Sequence, residues 1–239
     1  MSLLAARARL RRIARRFPVS CFLRGYIVGK LSLDPAFRAV LEIVRNSAAP
    51  IIDVGCGMGL LAHYLRENGC TPAVHGLDLD ERKIEIARIA AQRGGLENVT
   101  FEIGSAASLP SRSGTVVLLD VIHYLDDPAQ QRLLENLAAR NGLVLLRTAP
   151  RERSWRFALV LAQEWWTRVS RWIPVEGEFN FAPAAKIRAP FLEAGWDCEE
   201  RPMWGCTPFN SRLFVFHRKT SAPKSEHPVL EAGGQSSRN

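Results

Sequence analysis

Pro50–Leu61 reads PIIDVGCGMGLL, and no other stretch of this chain restricts its fold as tightly. The run Ile51–Val54, apolar except at Asp53, reads as a short buried strand. Gly55, Gly57 and Gly59 then turn the chain, with Cys56 inside the turn, and Leu60, Leu61, Tyr64 and Leu65 follow at helical spacing. A strand, a glycine turn and a helix N-terminus leave backbone bare where a ligand can approach closely. The spacing is G-x-G-x-G, and Leu60 stands where a dinucleotide fingerprint has its third glycine. Asp53 beside the turn would repel a pyrophosphate and suits a ligand with a cationic amino group. Both points disfavour a nicotinamide oxidoreductase.

The rest of the chain follows the rhythm this turn begins. Ala73–Asp78 is a short strand ending in an acid, and Glu81–Arg93 is a helix with Ile84, Ile86, Ala87, Ile89 and Ala90 as its apolar content. Strand Val99–Ile103, a turn-rich stretch, strand Thr115–Asp120, helix Ala129–Arg140 and strand Gly142–Arg147 complete the alternation. Such a pattern is that of a doubly wound, mostly parallel α/β sheet with helices on both faces. Two closing segments, Trp196–Met203 and Arg212–His217, read as a C-terminal antiparallel hairpin, which brings the sheet to seven strands. Between them and the fifth strand the rhythm breaks. Residues 150–181 read as a helical insertion carrying Trp155, Trp165, Trp166 and Trp172 together with Phe157, Leu161 and Glu164, and Ala184–Ala194 is a further helix.

Charge divides the chain unevenly. The formal net charge is +8, and eight basic residues from Arg7 to Lys30 precede the first acid, Asp34. The body beyond is neutral by count, which fits poorly with a nucleic-acid enzyme, whose basic footprint tracks the phosphates. Residues 2–17 read as an amphipathic helix with Leu3, Leu10 and Phe17 seven apart and arginines interleaved. That interleaving excludes a signal peptide. The helix could lie on an anionic membrane surface or an acidic partner, pack on its own domain, or remain a mobile arm. Asp34 can cap a helix Pro35–Arg45, so residues 1–48 form N-terminal helices where a lid could be built. There Tyr26 and Lys30, four apart, could share a face towards the substrate, or be a core aromatic and a surface charge. Five cysteines without a C-x-x-C pair argue against disulfides and zinc and for a reducing, cytoplasmic setting. No segment approaches the length of a transmembrane helix. Residues 219–239, rich in Ser, Pro, Gly and charge, read as a disordered tail.

The strand ends carry the chemistry. A carboxylate ending the second strand can accept both hydroxyls of a ribose, which assigns Asp78 to an adenosine ligand with Leu79 near the adenine. Ser105 and Ala106, past the third strand, would lie at the adenine edge. Asp120 ends the next strand and would face the far end of the ligand or the substrate. An adenosine ligand with an amino group is S-adenosyl-L-methionine (SAM). His123, three residues beyond Asp120, is the candidate base, with substrate positioning or a structural hydrogen bond as its other roles, and Tyr124 could orient an aromatic ring. Arg147 could anchor an anionic substrate group or pair with Glu164 or Asp120. Trp155, Trp165 and Trp204 could wall an aromatic substrate or be ordinary packing. No metal site is expected.

The D-x-G-x-G-x-G of Asp53–Gly59, the acid at Asp78 and the closing hairpin together resemble a class I SAM-dependent methyltransferase over roughly residues 25–218. The resemblance implies a Rossmann-like domain over residues 49–218, SAM as cofactor and S-adenosyl-L-homocysteine as product. It also implies that Gly55 and Gly57 line the cofactor, Asp53 holds its amino end and Asp78 its ribose. Ser105 stands where many relatives have an aspartate for the adenine amine. Four segments, YIVGKLSLDP, LLDVIHYLDD, LLRTAP and WGCTPFNSRLFV, look more narrowly like methyltransferases of bacterial aryl-polyene and pigment clusters. That likeness implies secondary metabolism and a phenolic or hydroxybenzoyl acceptor methylated at oxygen or ring carbon. The acceptor could be free or held on an acyl carrier protein, and the basic N-terminal helix could meet that carrier or the inner membrane face. An unrelated small acceptor (a carboxylate, an amine or a quinone precursor) and a binding module without activity are the alternatives.

Overall fold

The computed structural model describes residues 3–106, 109, 113–140, 142–169, 179–205 and 208–218. Three helices come first: α1 (Leu3–Arg16), α2 (Cys21–Leu33) and α3 (Pro35–Val44). Then β1 (Ile51–Val54), α4 (Leu60–Glu67), β2 (Val74–Asp78), α5 (Glu81–Gly94), β3 (Val99–Ile103), β4 (Gly114–Leu119), α6 (Asp127–Ala138) and β5 (Gly142–Thr148) alternate as expected. A 3-10 turn, Ile122–Tyr124, links β4 to α6. The insertion helix α7 (Trp155–Val169), α8 (Ala184–Glu193), β6 (Trp196–Pro202) and β7 (Arg212–Arg218) close the chain. Residues 150–181 read from the sequence as a helical insertion. The described part ends at Val169, and Trp172, Cys206 and the tail from Lys219 lie outside the described residues.

The seven strands form one sheet in the order β3-β2-β1-β4-β5-β7-β6. The first five are parallel, and β7 runs antiparallel between β5 and β6. Side-chain chemistry explains the order. All four residues of β1 and the first five of β4 are buried, as are the last five of β5, so these strands need helices on both faces. In β3, VTFEI, only Phe101 is buried, which suits an edge. One apolar cluster lies on each side of the sheet, one beneath α1–α5 and one beneath α6 and α8.

The N-terminal helix packs on its own domain. Ile13, Ala14 and Phe17 are fully or almost fully buried, and Leu10 packs against the same cluster. Arg12 and Arg16 both pair with Glu67 of α4, and Arg9 donates to the Asn68 side chain at 2.8 Å. The apolar stripe read from Leu10 and Phe17 therefore faces the core and is not open to a bilayer. Ser20 caps α2 by accepting from the Leu23 N–H. Asp34 caps α3 by accepting from the Ala36 N–H, with Pro35 at the first helical position, where its missing N–H costs nothing.

Candidate active site

The glycine turn is shaped by what each α-carbon meets. All three glycines have positive φ. A Cβ on Gly55 would lie 2.2 Å from Val121 Cγ2, whereas one on Gly57 would meet nothing within 4 Å. Packing requires the first glycine, and the second leaves backbone bare towards open space. The Cys56 side chain lies over Gly76 of β2, so Cys56 offers a ligand only its backbone. Asp78 braces the turn: one carboxylate oxygen accepts the Gly57 N–H at 2.8 Å and the other the Asp80 N–H at 2.9 Å. Each oxygen keeps a lone pair for a further donor.

Around this carboxylate the surface changes character. Asp53 is buried, and burial together with the nearby Asp78 pushes its carboxyl up to about 7. A bound cation there would restore its charge. Leu79 is 69% exposed and Ile103, opposite Asp78 in the β2–β3 register, is 51% exposed. Both expose apolar surface beside the acid. Ala106 is buried in the adjoining apolar cluster.

On the other side of β4 lies a cavity of about 390 Å³, walled by α2, the β4 and β5 ends, α7 and the segment before β7. Asp120 opens it with φ at +60°, a backbone conformation uncommon outside glycine. Arg147 binds Asp120 through both its Nε and Nη2, and binds Asp34 through Nη1. Lys30 Nζ lies 2.8 Å from Asp34. Burial acts upward on Asp34, but Arg147 and Lys30 outweigh it and hold the carboxyl near 2. Burial likewise acts downward on Arg147, and the two carboxylates reverse it. This cluster of two cations and two anions is internally neutralised.

His123 and Glu164 stand apart from that neutral cluster. His123 Nε2 is 4.0 Å from Glu164 Oε1. Both ring nitrogens and Glu164 Oε2 are buried with no hydrogen-bond partner among the described residues. The imidazole stacks on Phe181 at 4.8 Å and contacts the Tyr124 ring at 4.3 Å. Burial pulls His123 down to about 4, against the attraction of Asp120. Burial, reinforced by Asp120, pushes Glu164 up to about 7. At neutral pH the ring is therefore an uncharged proton acceptor beside a carboxyl poised to change charge.

A methyltransferase-domain family model matches residues 45–154. A ubiquinone biosynthesis O-methyltransferase from Dinoroseobacter shibae is 31% identical over 170 residues, covering 66% of each chain. One from Stutzerimonas stutzeri is 30% identical over 128 residues, covering 51% of this chain and 54% of its own length. The chain spans about half the length of the first curated relatives it matches. Among solved structures, a magnesium protoporphyrin IX methyltransferase from Synechocystis PCC 6803 with bound S-adenosylhomocysteine superposes with TM-score 0.62 at 22% identity, covering 88% of this chain and 93% of that one. Similarity at that level speaks for the fold. The chain carries a class I SAM-dependent methyltransferase domain.

SAM is the cofactor of such a domain, and the residues present suit it: bare backbone at Gly57, a two-acceptor carboxylate at Asp78, apolar surface at Leu79 and a buried acid at Asp53. Among the described residues, no group of three or more His, Cys, Asp or Glu is placed to hold a metal ion, and no helix is long and apolar enough to cross a membrane.

The remaining expected site residues divide. Tyr26, Lys30, Asp120, His123, Arg147 and Glu164 all line the one cavity, although they come from four separate stretches of chain. Trp155, Trp165 and Trp204 do not line it. Trp155 and Trp204 instead stack on the Arg156 guanidinium at the surface, and Trp165 is exposed. Tyr124 packs on the His123 ring without lining the cavity. Arg147 makes the ion pair with Asp120 that was the alternative to anchoring a substrate, and a second one with Asp34. Sequence reasoning treated Asp34 as a helix cap and missed its place in this cluster, 113 residues from Arg147 in the chain. It also missed Phe181, whose stacking on His123 has no local sequence signal.

Proposed function

We propose that this methyltransferase transfers the methyl group of SAM to a hydroxyl of a small aromatic acceptor of the quinone-precursor type. The observation that carries this reading is the His123–Glu164 pair at the cavity wall, where both imidazole nitrogens and Glu164 Oε2 are buried without a hydrogen-bond partner among the described residues. SAM supplies an electrophilic methyl on a sulfonium that leaves as the neutral thioether. A phenolic oxygen attacks it well only after losing its proton, so the site needs an acceptor for that proton. His123 can take it on Nε2, because the Glu164 carboxylate 4.0 Å away would offset the imidazolium charge and so raise the proton affinity of a ring that burial holds near 4. Phe181 holds the imidazole plane by stacking. Apolar Val160, Met203 and Phe209 would flank the ring and exclude water.

Two observations weigh against the other acceptors. A carboxylate or a carrier's phosphate would need a free cation, and the two Lys and Arg side chains that line the cavity among the described residues, Lys30 and Arg147, are already paired. The curated relatives are named for ubiquinone biosynthesis, which supports a quinone precursor over a pigment head group.

The test is to incubate the protein with SAM and a panel of catechols, hydroxybenzoates and aliphatic acids, following S-adenosylhomocysteine and the methylated product. Wild type is expected to methylate catechol-type acceptors. His123→Ala and Glu164→Gln should each lower kcat by at least tenfold, with SAM affinity retained, in line with the usual contribution of general-base catalysis (roughly 10²–10⁴-fold). Turnover of aliphatic acids alone, or full kcat in His123→Ala, would overturn the proposal.

A further inference from the structure

Both α2 and α7 line the cavity, and both also expose large apolar side chains outside it. On α2, Phe22, Tyr26 and Leu33 are 73%, 42% and 59% exposed. Spaced by four and seven residues, they fall on one face of the helix. On α7, Trp155 and Trp165 are 64% and 63% exposed. Trp204 joins them: its neighbour Gly205 abuts Pro35 and the Leu33 carbonyl, and Arg156 lies between the Trp204 and Trp155 rings at 4.5 and 4.8 Å. Large aromatic side chains in this number are costly to leave in water.

Cations flank this surface. A second hollow, lined by Arg7, Leu10, Arg11, Val28, Gly29, Ser32 and Leu33, shares Gly29 and Leu33 with the cavity. The exposed arginines of α1 therefore adjoin the apolar stripe of α2. Arg9, Arg12 and Arg16 are tied to Asn68 and Glu67, whereas Arg7 and Arg11 have no carboxylate partner among the described residues. Exposed aromatic rings on the elements that line the cavity, with arginines adjoining the α2 stripe, match the chemistry of a lipid headgroup layer: rings sit at the polar–apolar boundary and cations meet anionic lipid.

We infer that the α2–α7 rim docks the protein on an anionic bilayer, with the mouth of the acceptor cavity facing the lipid. The docking face is therefore not the apolar stripe of α1, which is buried against the domain. It is the exposed stripe of α2 and the tryptophans opposite, with α1 supplying charge. An acceptor carrying an apolar tail could pass from the bilayer into the cavity without crossing water. The docking itself does not depend on which acceptor is methylated.

The experiment is co-sedimentation of the full chain with phosphatidylcholine vesicles, with and without phosphatidylglycerol, at low and high salt. Binding is expected to the anionic vesicles only, and to weaken with salt. The double variant Arg7→Glu/Arg11→Glu should reduce partitioning by more than about tenfold, since each arginine near an anionic surface contributes a several-fold factor. Phe22→Ser should reduce it as well. All these residues lie outside the cofactor and proton-transfer machinery, so SAM affinity measured on the same samples is expected to be unchanged and controls for folding. No binding to anionic vesicles, or binding that neither variant weakens, overturns the inference. So does binding to an acidic acyl carrier protein in place of vesicles. A protein that methylates soluble catechols but ignores vesicles would lose this inference alone. One that binds vesicles but methylates none of the aromatic acceptors would lose only the proposed function.

Discussion

Glu164 shows how one residue's surroundings set its chemistry. In water its carboxyl would be ionised well below neutrality, but burial raises it from 4.5 to about 7. Between those values the folded chain holds a proton that the unfolded chain has released, so Glu164 subtracts stability as pH rises through that window. Glu164→Gln removes the titration. The variant's melting temperature is expected to match wild type near pH 4 and to exceed it by a few degrees at pH 8, read by thermal scans at both pH values. A stability gain bought with lost activity is what a site built to hold a reactive carboxyl should show. Asp53, also raised to about 7, carries the same sign. Two residues on opposite sides of β4 thus hold strain that their ligands can relieve, a cation at Asp53 and a proton-bearing ring at Glu164.

At the scale of elements, the α2–α3 junction ties the N-terminal helices to the sheet. Asp34 caps α3 and meets both Lys30 and Arg147. Arg147 in turn holds Asp120 at the end of β4. Asp34→Asn keeps an N-cap but strips a charge from beside buried Arg147 and half-buried Lys30, and leaving a buried cation short of its partner typically costs about 3–5 kcal/mol. Because the Asp34 carboxyl is held near 2 in the folded chain, its contribution is present above its ordinary value of 3.8 and lost as pH falls through 2. The variant should therefore be far less stable than wild type in urea at pH 6, with the gap closing as pH drops below about 4. An equal gap at pH 6 and pH 3 would show that the ion pair carries none of the loss.

For the whole molecule, both half-sites lie at the C-terminal ends of the parallel strands, where β1 and β4 lead their helices to opposite faces of the sheet. Ligand and fold are therefore linked through every central strand. SAM at a hundredfold excess over its dissociation constant should stabilise the native state by about 2.7 kcal/mol, or roughly 5–10 °C in melting temperature for a chain of this size. NAD is expected to give no shift, and Asp78→Ala should abolish the SAM shift, both measurable by differential scanning fluorimetry.

Much of this was legible without coordinates because it is local or periodic. Buried strands are continuous apolar runs, the G-x-G-x-G spacing marks the turn, and Asp34-Pro35 announces a helix start. The sevenfold spacing of Leu10 and Phe17 marked the face of α1, though only packing decided that this face meets α4 and α5 and not lipid. The sequence also named His123, Glu164, Lys30 and Arg147 as residues to watch. What it could not decide was who meets whom. Arg147 had several candidate partners, and only the fold brought Asp34 to it across 113 residues of chain. Tryptophans on a helix do not say which face covers a cavity, and Trp155 and Trp204 turned outward onto Arg156. Pairing across distant segments depends on how helices settle on the sheet, and burial then sets charge: the fold, not the residue type, makes His123 neutral and Glu164 titrate near 7.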